Sequence, residues 1–230
     1  MDFSRRNVVV TGGTGALGGA VVGALVEAGA MCRVSYHHEA EAERFAFRAH
    51  ESVKLVAADL TDEAAVATLY AGTSPLWASI HIAGGFAAAK IVDTDKAALM
   101  SQLDTNLVSS FLCCRAAIKA MTGKGGRIVN VAARPALEWR AGAGMAAYAA
   151  SKAAVAAMTV VLAEEVANDG ILVNAVAPSI MDTPANRKAM PKADFDKWPK
   201  VEEVAATIVF LASPDNRATR GGIVPVYGKS

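Results

Sequence analysis

The sequence predicts a doubly wound α/β fold: one parallel sheet of about seven strands with helices on both faces. Three observations carry this. Short apolar runs alternate along the whole chain with alanine-rich stretches of helical periodicity. The runs are mainly apolar, without the regular polar alternation of a half-solvated sheet, which suits strands covered on both sides. No Pro/Ser-rich stretch, charge run, internal repeat or low-complexity tract divides the 230 residues. Residues 1–230 are therefore expected to form a single domain with one large core.

In chain order, strands are expected at 7–10 (NVVV), 30–35 (AMCRVS), 53–58 (VKLVAA), 76–83 (LWASIHIA), 126–132 (GRIVNVA), 171–177 (ILVNAVA) and 222–226 (GIVPV). Helical periodicity falls between them at 16–28, 62–71, 95–121, 148–168 and 201–212. Parallel strands need crossover connections, which these helices supply with right-handed sense.

Charge and composition exclude several partners. A net charge of +1, with acids and bases spread evenly, gives no basic face for nucleic acid and no polybasic tail for lipid. The three cysteines, Cys32 in a strand and Cys113 and Cys114 adjacent in a helix, lack metal-ligand spacing and read as buried thiols of a reducing compartment. SRR at 4–6 precedes a stretch to Cys32 in which Glu27 is the only charge, a pattern shared with export signals. Glycine decides against a membrane segment there, because seven glycines lie between Gly12 and Gly29 and five of them between 12 and 19. A cytoplasmic protein is expected.

The glycines are the first chemical motif. In TGGTGALGG (11–19), Gly13, Gly15 and Gly18 fit GxGxxG between a strand and a helix. Without side chains, backbone N–H groups can approach a pyrophosphate, and the helix N-terminus adds its positive dipole end. Gly12, Gly13, Thr14, Gly15, Ala16, Leu17 and Gly18 are thus candidate contacts to a dinucleotide in a Rossmann-type sheet. The plainer alternative is a tight turn packing a helix on a sheet. An NAD site would place Asp or Glu at the end of the second strand. This chain has Tyr36 and His37 there, and no acid before Glu39, which favours NADP(H) over NAD(H).

A second motif, YAASK (148–152), opens a helix and sets Tyr148 and Lys152 four residues apart on one face. Spacing alone fits an exposed surface pair equally well.

Together these motifs resemble the short-chain dehydrogenase/reductase family over nearly the whole chain: TGGTGALG, DLTD (59–62), AGG (83–85), Asn106 within a helix, YxxxK, and VAPSIMDTP (176–184) in place of a PG motif. The resemblance implies an oxidoreductase with Tyr148 as proton donor, Lys152 lowering its pKa, and Asn106 supporting a water relay. It further implies cofactor contacts from Asp59, Leu60, Ala83, Gly84, Gly85, Tyr148, Lys152, Pro178, Ile180 and Thr183. A homotetramer is implied first and a homodimer next.

The family pattern wants a serine at the end of the fifth strand, where this chain has Ala132 and Ala133 in IVNVAARP. Within the family, the quinonoid dihydropteridine reductases resemble the chain most: GGxGALG, AGG followed by an aromatic, alanine for serine, and a counterpart of DTPANRKAMPKADFDKW (182–198). The chain departs from that group at Tyr36, at Asn106 and in the longer ALEWRAGAG (136–144). A conjugated substrate leaves no localised alkoxide on reduction, so the missing donor is tolerable. Phe86, Ala133, Trp139 and Asn186 are the candidate substrate contacts, with core packing the plainer reading of Phe86. A carbonyl or 3-oxoacyl thioester reductase is the alternative enzyme, and a nucleotide-sensing regulator the alternative of another kind.

Overall fold

A computed structural model describes residues 1–230 and contains one seven-stranded, wholly parallel sheet. Its strands are β1 (Asn7–Thr11), β2 (Met31–Tyr36), β3 (Val53–Ala57), β4 (Leu76–His81), β5 (Gly126–Val131), β6 (Ile171–Pro178) and β7 (Ile223–Val226). Their order is β3-β2-β1-β4-β5-β6-β7. The chain reverses direction across the sheet between β1 and β4, and ligands bind at such switch points, outside the carboxyl ends of the strands.

The helices are α1 (Ala16–Glu27), α2 (Glu39–Arg44), α3 (Glu63–Tyr70), α4 (Lys96–Leu103), α5 (Ser109–Met121), α6 (Ala146–Glu165), α7 (Pro184–Ala189) and α8 (Val201–Ala212). One face of the sheet is covered by α1 and α8, where Val8, Val10, Leu25, Ile80 and Ile208 are fully buried or nearly so. The other is covered by α3, α5 and α6, around Val9, Leu69, Met121, Ile128 and Val173. All three cysteines are buried and unpaired, as the sequence suggests, and burial pushes each thiol up to about 12.

Three expectations need correction. β4 ends at His81, because Ile82–Gly85 leaves the sheet as a loop. The helix expected over 95–121 is interrupted by a π turn at Asp104–Val108, between α4 and α5. The helix expected from 148 begins at Ala146 and ends at Glu165, with a short turn closing on Gly170 in the left-handed region (φ +69). Two helices escape periodicity altogether. α2 (EAEAER) buries only Ala42 and α7 (PANRKA) buries nothing, so neither carries an apolar stripe.

A buried polar chain crosses the sheet beneath its carboxyl edge. The Tyr70 hydroxyl lies 2.6 Å from Ser79 Oγ, which lies 2.8 Å from His81 Nε2; His81 Nδ1 meets Asn130 Oδ1 at 2.8 Å. Asn130 Nδ2 then donates to Thr159 Oγ1 on α6 at 2.9 Å. Burial holds His81 down to about 4, against 6.5 when solvated. A base whose folded pKa is depressed favours folding above its unfolded value and loses that contribution as pH falls through the folded one. Stability is therefore expected to fall by about 3 kcal/mol between pH 6.5 and 4. His81→Asn should flatten that part of a denaturant-unfolding profile; an unchanged slope would remove His81 as its cause.

Candidate active site

The glycine loop is shaped by close approaches. Gly12 has φ +64, and a Cβ there would stand 2.7 Å from Ala83 N. A Cβ on Gly18 would overlap the Gly12 carbonyl oxygen, and one on Gly13 the Val34 side chain. Gly15 differs: its Cβ would meet nothing nearer than Gly12 O at 3.5 Å, so the loop faces open space there. Gly15 is also the N-cap of α1 and supplies no capping side chain, leaving first-turn N–H groups for a ligand. These features fit a pyrophosphate. Leu17 is buried in the core, so only its backbone faces the loop.

The adenosine side gathers Tyr36, His37 and Asp59. Asp59 Oδ1 accepts from Thr61 N (2.9 Å) and Oγ1 (2.7 Å), and these bonds hold its carboxyl below the usual range. Leu60 follows, half-buried. Two carboxylates of α2 close on this pocket: Glu39, the first acid after Tyr36 in the sequence, and Glu41, which sequence reading does not single out. The Tyr36 hydroxyl donates to Glu39 Oε1 at 2.8 Å, and Thr14 Oγ1 donates to Glu41 Oε2 at 3.3 Å.

The centre is built on the π turn. It points the wholly buried Asn106 at the AGG loop, where Oδ1 accepts from Gly85 N and Nδ2 donates to Gly85 O, both at 3.0 Å. Nδ2 also donates to Ser151 Oγ at 3.1 Å, tying the loop to α6. Asn106 is thus a positioning residue, since its whole amide is engaged. Ser151, between Tyr148 and Lys152 in YAASK, went unnoticed in the sequence although it lies one helical turn beyond the tyrosine.

α6 brings Tyr148 and Lys152 to the same place. Lys152 Nζ donates to Val131 O at 2.8 Å, and a Cβ on Gly84 would stand 3.2 Å from it, so Ala83–Gly85 passes directly over the ammonium. Burial lowers Lys152 to about 8 and raises Tyr148 to about 12. Desolvation governs both groups, and the ammonium is aimed at Val131 O. The Phe86 ring meets Tyr148 edge-on, centroids 4.9 Å apart at 85°, while remaining 63% exposed. Core packing therefore does not account for Phe86.

β5 delivers the two alanines to opposite sides. Ala132 packs with Ala156, Ala175 and Ala177, leaving Ala133, extended and 5% exposed, as the residue in the serine's place. Beyond β6, Pro178 is buried and Ile180 half-exposed. Thr183 Oγ1 accepts from Asn186 N to cap α7, and Asn186 Nδ2 donates to Met181 O at 2.8 Å. Both side chains are thereby committed to their own loop. Trp139 is not brought against Tyr148 or Phe86: it is 79% exposed, and its indole N–H donates to Ala136 O at 3.2 Å.

Residues 6–194 match the family model for short chain dehydrogenase. The chain belongs to the short-chain dehydrogenase/reductase family. It is accordingly an NAD(P)-dependent oxidoreductase. Galactitol 2-dehydrogenase of Rhizobium johnstonii is 37% identical, the alignment covering 96% of this chain and 93% of that protein. The 3-oxoacyl-[acyl-carrier-protein] reductase FabG of Rickettsia bellii is 29% identical over 99% of this chain and 98% of its own. Among solved structures, a blue fluorescent protein from a metagenomic library, in complex with NADPH, superposes with a TM-score of 0.89 at 27% identity, covering 100% of this chain and 99% of that one.

Proposed function

We propose that residues 1–230 act as one NAD(P)H-dependent reductase of a conjugated small molecule, a quinonoid dihydropterin foremost. The observation that carries this reading is the pairing of an intact Tyr148 and Lys152 with Ala133 where the family's serine would donate. The bound nicotinamide supplies the hydride. Tyr148 supplies the proton, from a phenol that burial beside Phe86 raises to about 12. Lys152 stands beside the AGG loop with a proton to pass on, and Asn106 fixes that loop against α6. Phe86 offers a flat substrate a ring to stack on. Loss of a donor matters little where charge is delocalised over a conjugated ring system, and much where it gathers on one oxygen.

A panel assay with quinonoid dihydropterin, simple quinones and an acetoacetyl thioester tests this. Turnover confined to the conjugated compounds supports it. Faster turnover of the thioester would favour the second reading, a 3-oxoacyl reductase, for which the likeness to the Rickettsia bellii enzyme speaks. Tight cofactor binding with no turnover on any would point to nucleotide sensing instead.

For the cofactor we place NADP(H) before NAD(H), because Tyr36 stands where a carboxylate would hold the ribose hydroxyls. Glu39 and Glu41 narrow the margin by facing the same pocket. Fluorescence titration should show NADPH binding tighter than NADH, and Glu41→Gln should widen the ratio by about fivefold by removing a like charge from the 2′-phosphate. Tighter NADH in the native protein would overturn this order. Exposed Phe111, Val160 and Val161 on α5 and α6 support pairing of these helices between copies in the cytoplasm, as a homotetramer or otherwise a homodimer.

A further inference from the structure

We infer that the turn Tyr227–Ser230 latches in place the loop between β6 and α8, which carries the candidate substrate contact Asn186, so that residues remote from the reacting atoms set the affinity for the molecule being reduced. The loop leaves the carboxyl end of β6 and returns at Lys200. Its ends are drawn together, for Asp182 N donates to Pro199 O at 2.9 Å and Asp182 bridges Lys200. Between them it keeps its own shape. The Arg187 guanidinium forks onto Asp182, with Nη2 to Oδ2 at 2.7 Å, and lies 4.8 Å over the Phe195 ring. Phe195 packs on Trp198 at 5.0 Å, and Trp198 is 8% exposed. These contacts are internal to the loop, and α7 within it buries no side chain. They give it rigidity, and Met181 at its start packs against the core, but none of them fixes the limb that returns to Lys200.

The turn after β7 supplies the fixed points. Lys229 N donates to Lys197 O at 2.9 Å on the returning limb. Gly228 has φ +64 and fits so closely that a Cβ would stand 2.8 Å from both Lys197 O and Pro199 N. On the departing limb, Ser179 N donates to Val226 O (3.2 Å), Ser179 Oγ donates to Tyr227 O (3.0 Å), and Ser230 Oγ donates to Ser179 Oγ (2.8 Å). A third contact reaches Arg134. Arg134, next in the chain after Ala133, sets its guanidinium carbon 4.9 Å over the Tyr227 ring and is itself held by Glu138 at 2.7 Å. One short turn thus grips both limbs of the loop and the residue following Ala133.

The kinetic consequence rests on the reductase reading above; the mechanical one does not. Two variants release the latch differently: Gly228→Val by a clash with Lys197 and Pro199, and Tyr227→Ala by removing the ring under Arg134. Tyr227→Phe keeps that ring. Hydrogen exchange on the whole protein should show amides of 183–198 exchanging about tenfold faster in the two releasing variants, with β5 and β6 unchanged. Steady-state assays on the best substrate of the panel should show KM raised about tenfold with kcat within threefold, and Tyr227→Phe near the native values. Binding of adenosine 2′,5′-bisphosphate, read by calorimetry, should not move. If either folded variant leaves exchange in 183–198 at the native rate, or raises exchange while KM stays within twofold, the latch is overturned. Absence of turnover in the native protein would defeat the reductase reading, and exchange would still decide the latch.

Discussion

Tyr148→Phe is expected to lower turnover by about 10²-fold or more on every substrate the enzyme reduces, while cofactor affinity stays near native. The substitution removes one hydroxyl from a side chain already packed edge-on against Phe86, so the ring contact survives and only the proton is lost. Comparable losses on conjugated and simple substrates would follow, since both need that proton. Full turnover by the variant would end the assignment of Tyr148 as the acid. The pH profile supplies an independent reading. Lys152, lowered to about 8 by burial, loses its proton as pH rises through that value. Reductive kcat should therefore decline above about pH 8 as the group behind the phenol becomes neutral. A profile flat to pH 10 would mean that Lys152 does not feed the reaction.

Ala133→Ser is expected to raise kcat/KM on simple ketones by about 10²-fold while leaving reduction of a quinonoid substrate nearly unchanged. Ala133 is extended at the carboxyl end of β5, and the residue before it carries the core contacts. A donor there would act only where negative charge gathers on one oxygen. Improvement of both substrates by the same factor would defeat the argument from delocalisation, and improvement of neither would show that position 133 does not face the reacting group.

The strands were legible because a parallel sheet covered on both faces leaves runs such as NVVV and GRIVNV nowhere polar to face, and the runs lie within a residue or two of β1 and β5. The glycine loop was legible for a related reason: three of its glycines stand where a Cβ would strike backbone or a core valine. What stayed hidden depends on contacts between residues far apart in the chain. Periodicity could not show that Asn106 closes on Gly85, because the π turn that aims it leaves no mark on the apolar pattern of the helix. Nor could it find α2 and α7, which are short and solvated, and with α2 the Glu41 carboxylate beside Thr14 stayed hidden too. Four residues along a helix also say nothing about burial, or about Val131 O as a partner of Lys152.

The π turn also bears on how chain length can change in this protein. A helix turns about 100° per residue, and a π turn is in effect one residue too many for an uninterrupted α-helix. Deleting a residue between Asp104 and Val108 would let α4 and α5 merge into one regular rod. Cys113, Cys114 and Ala117 could then keep their seats against the sheet only if α4 rotated as a unit by about that angle. Asn106 lies on the rotating side of that seam, and its amide would swing away from Gly85. Insertion or loss of a single residue here is thus absorbed by the hydrophobic interior and felt at the AGG loop, so this seam is where the chain could lengthen or shorten with its fold intact and its chemistry altered.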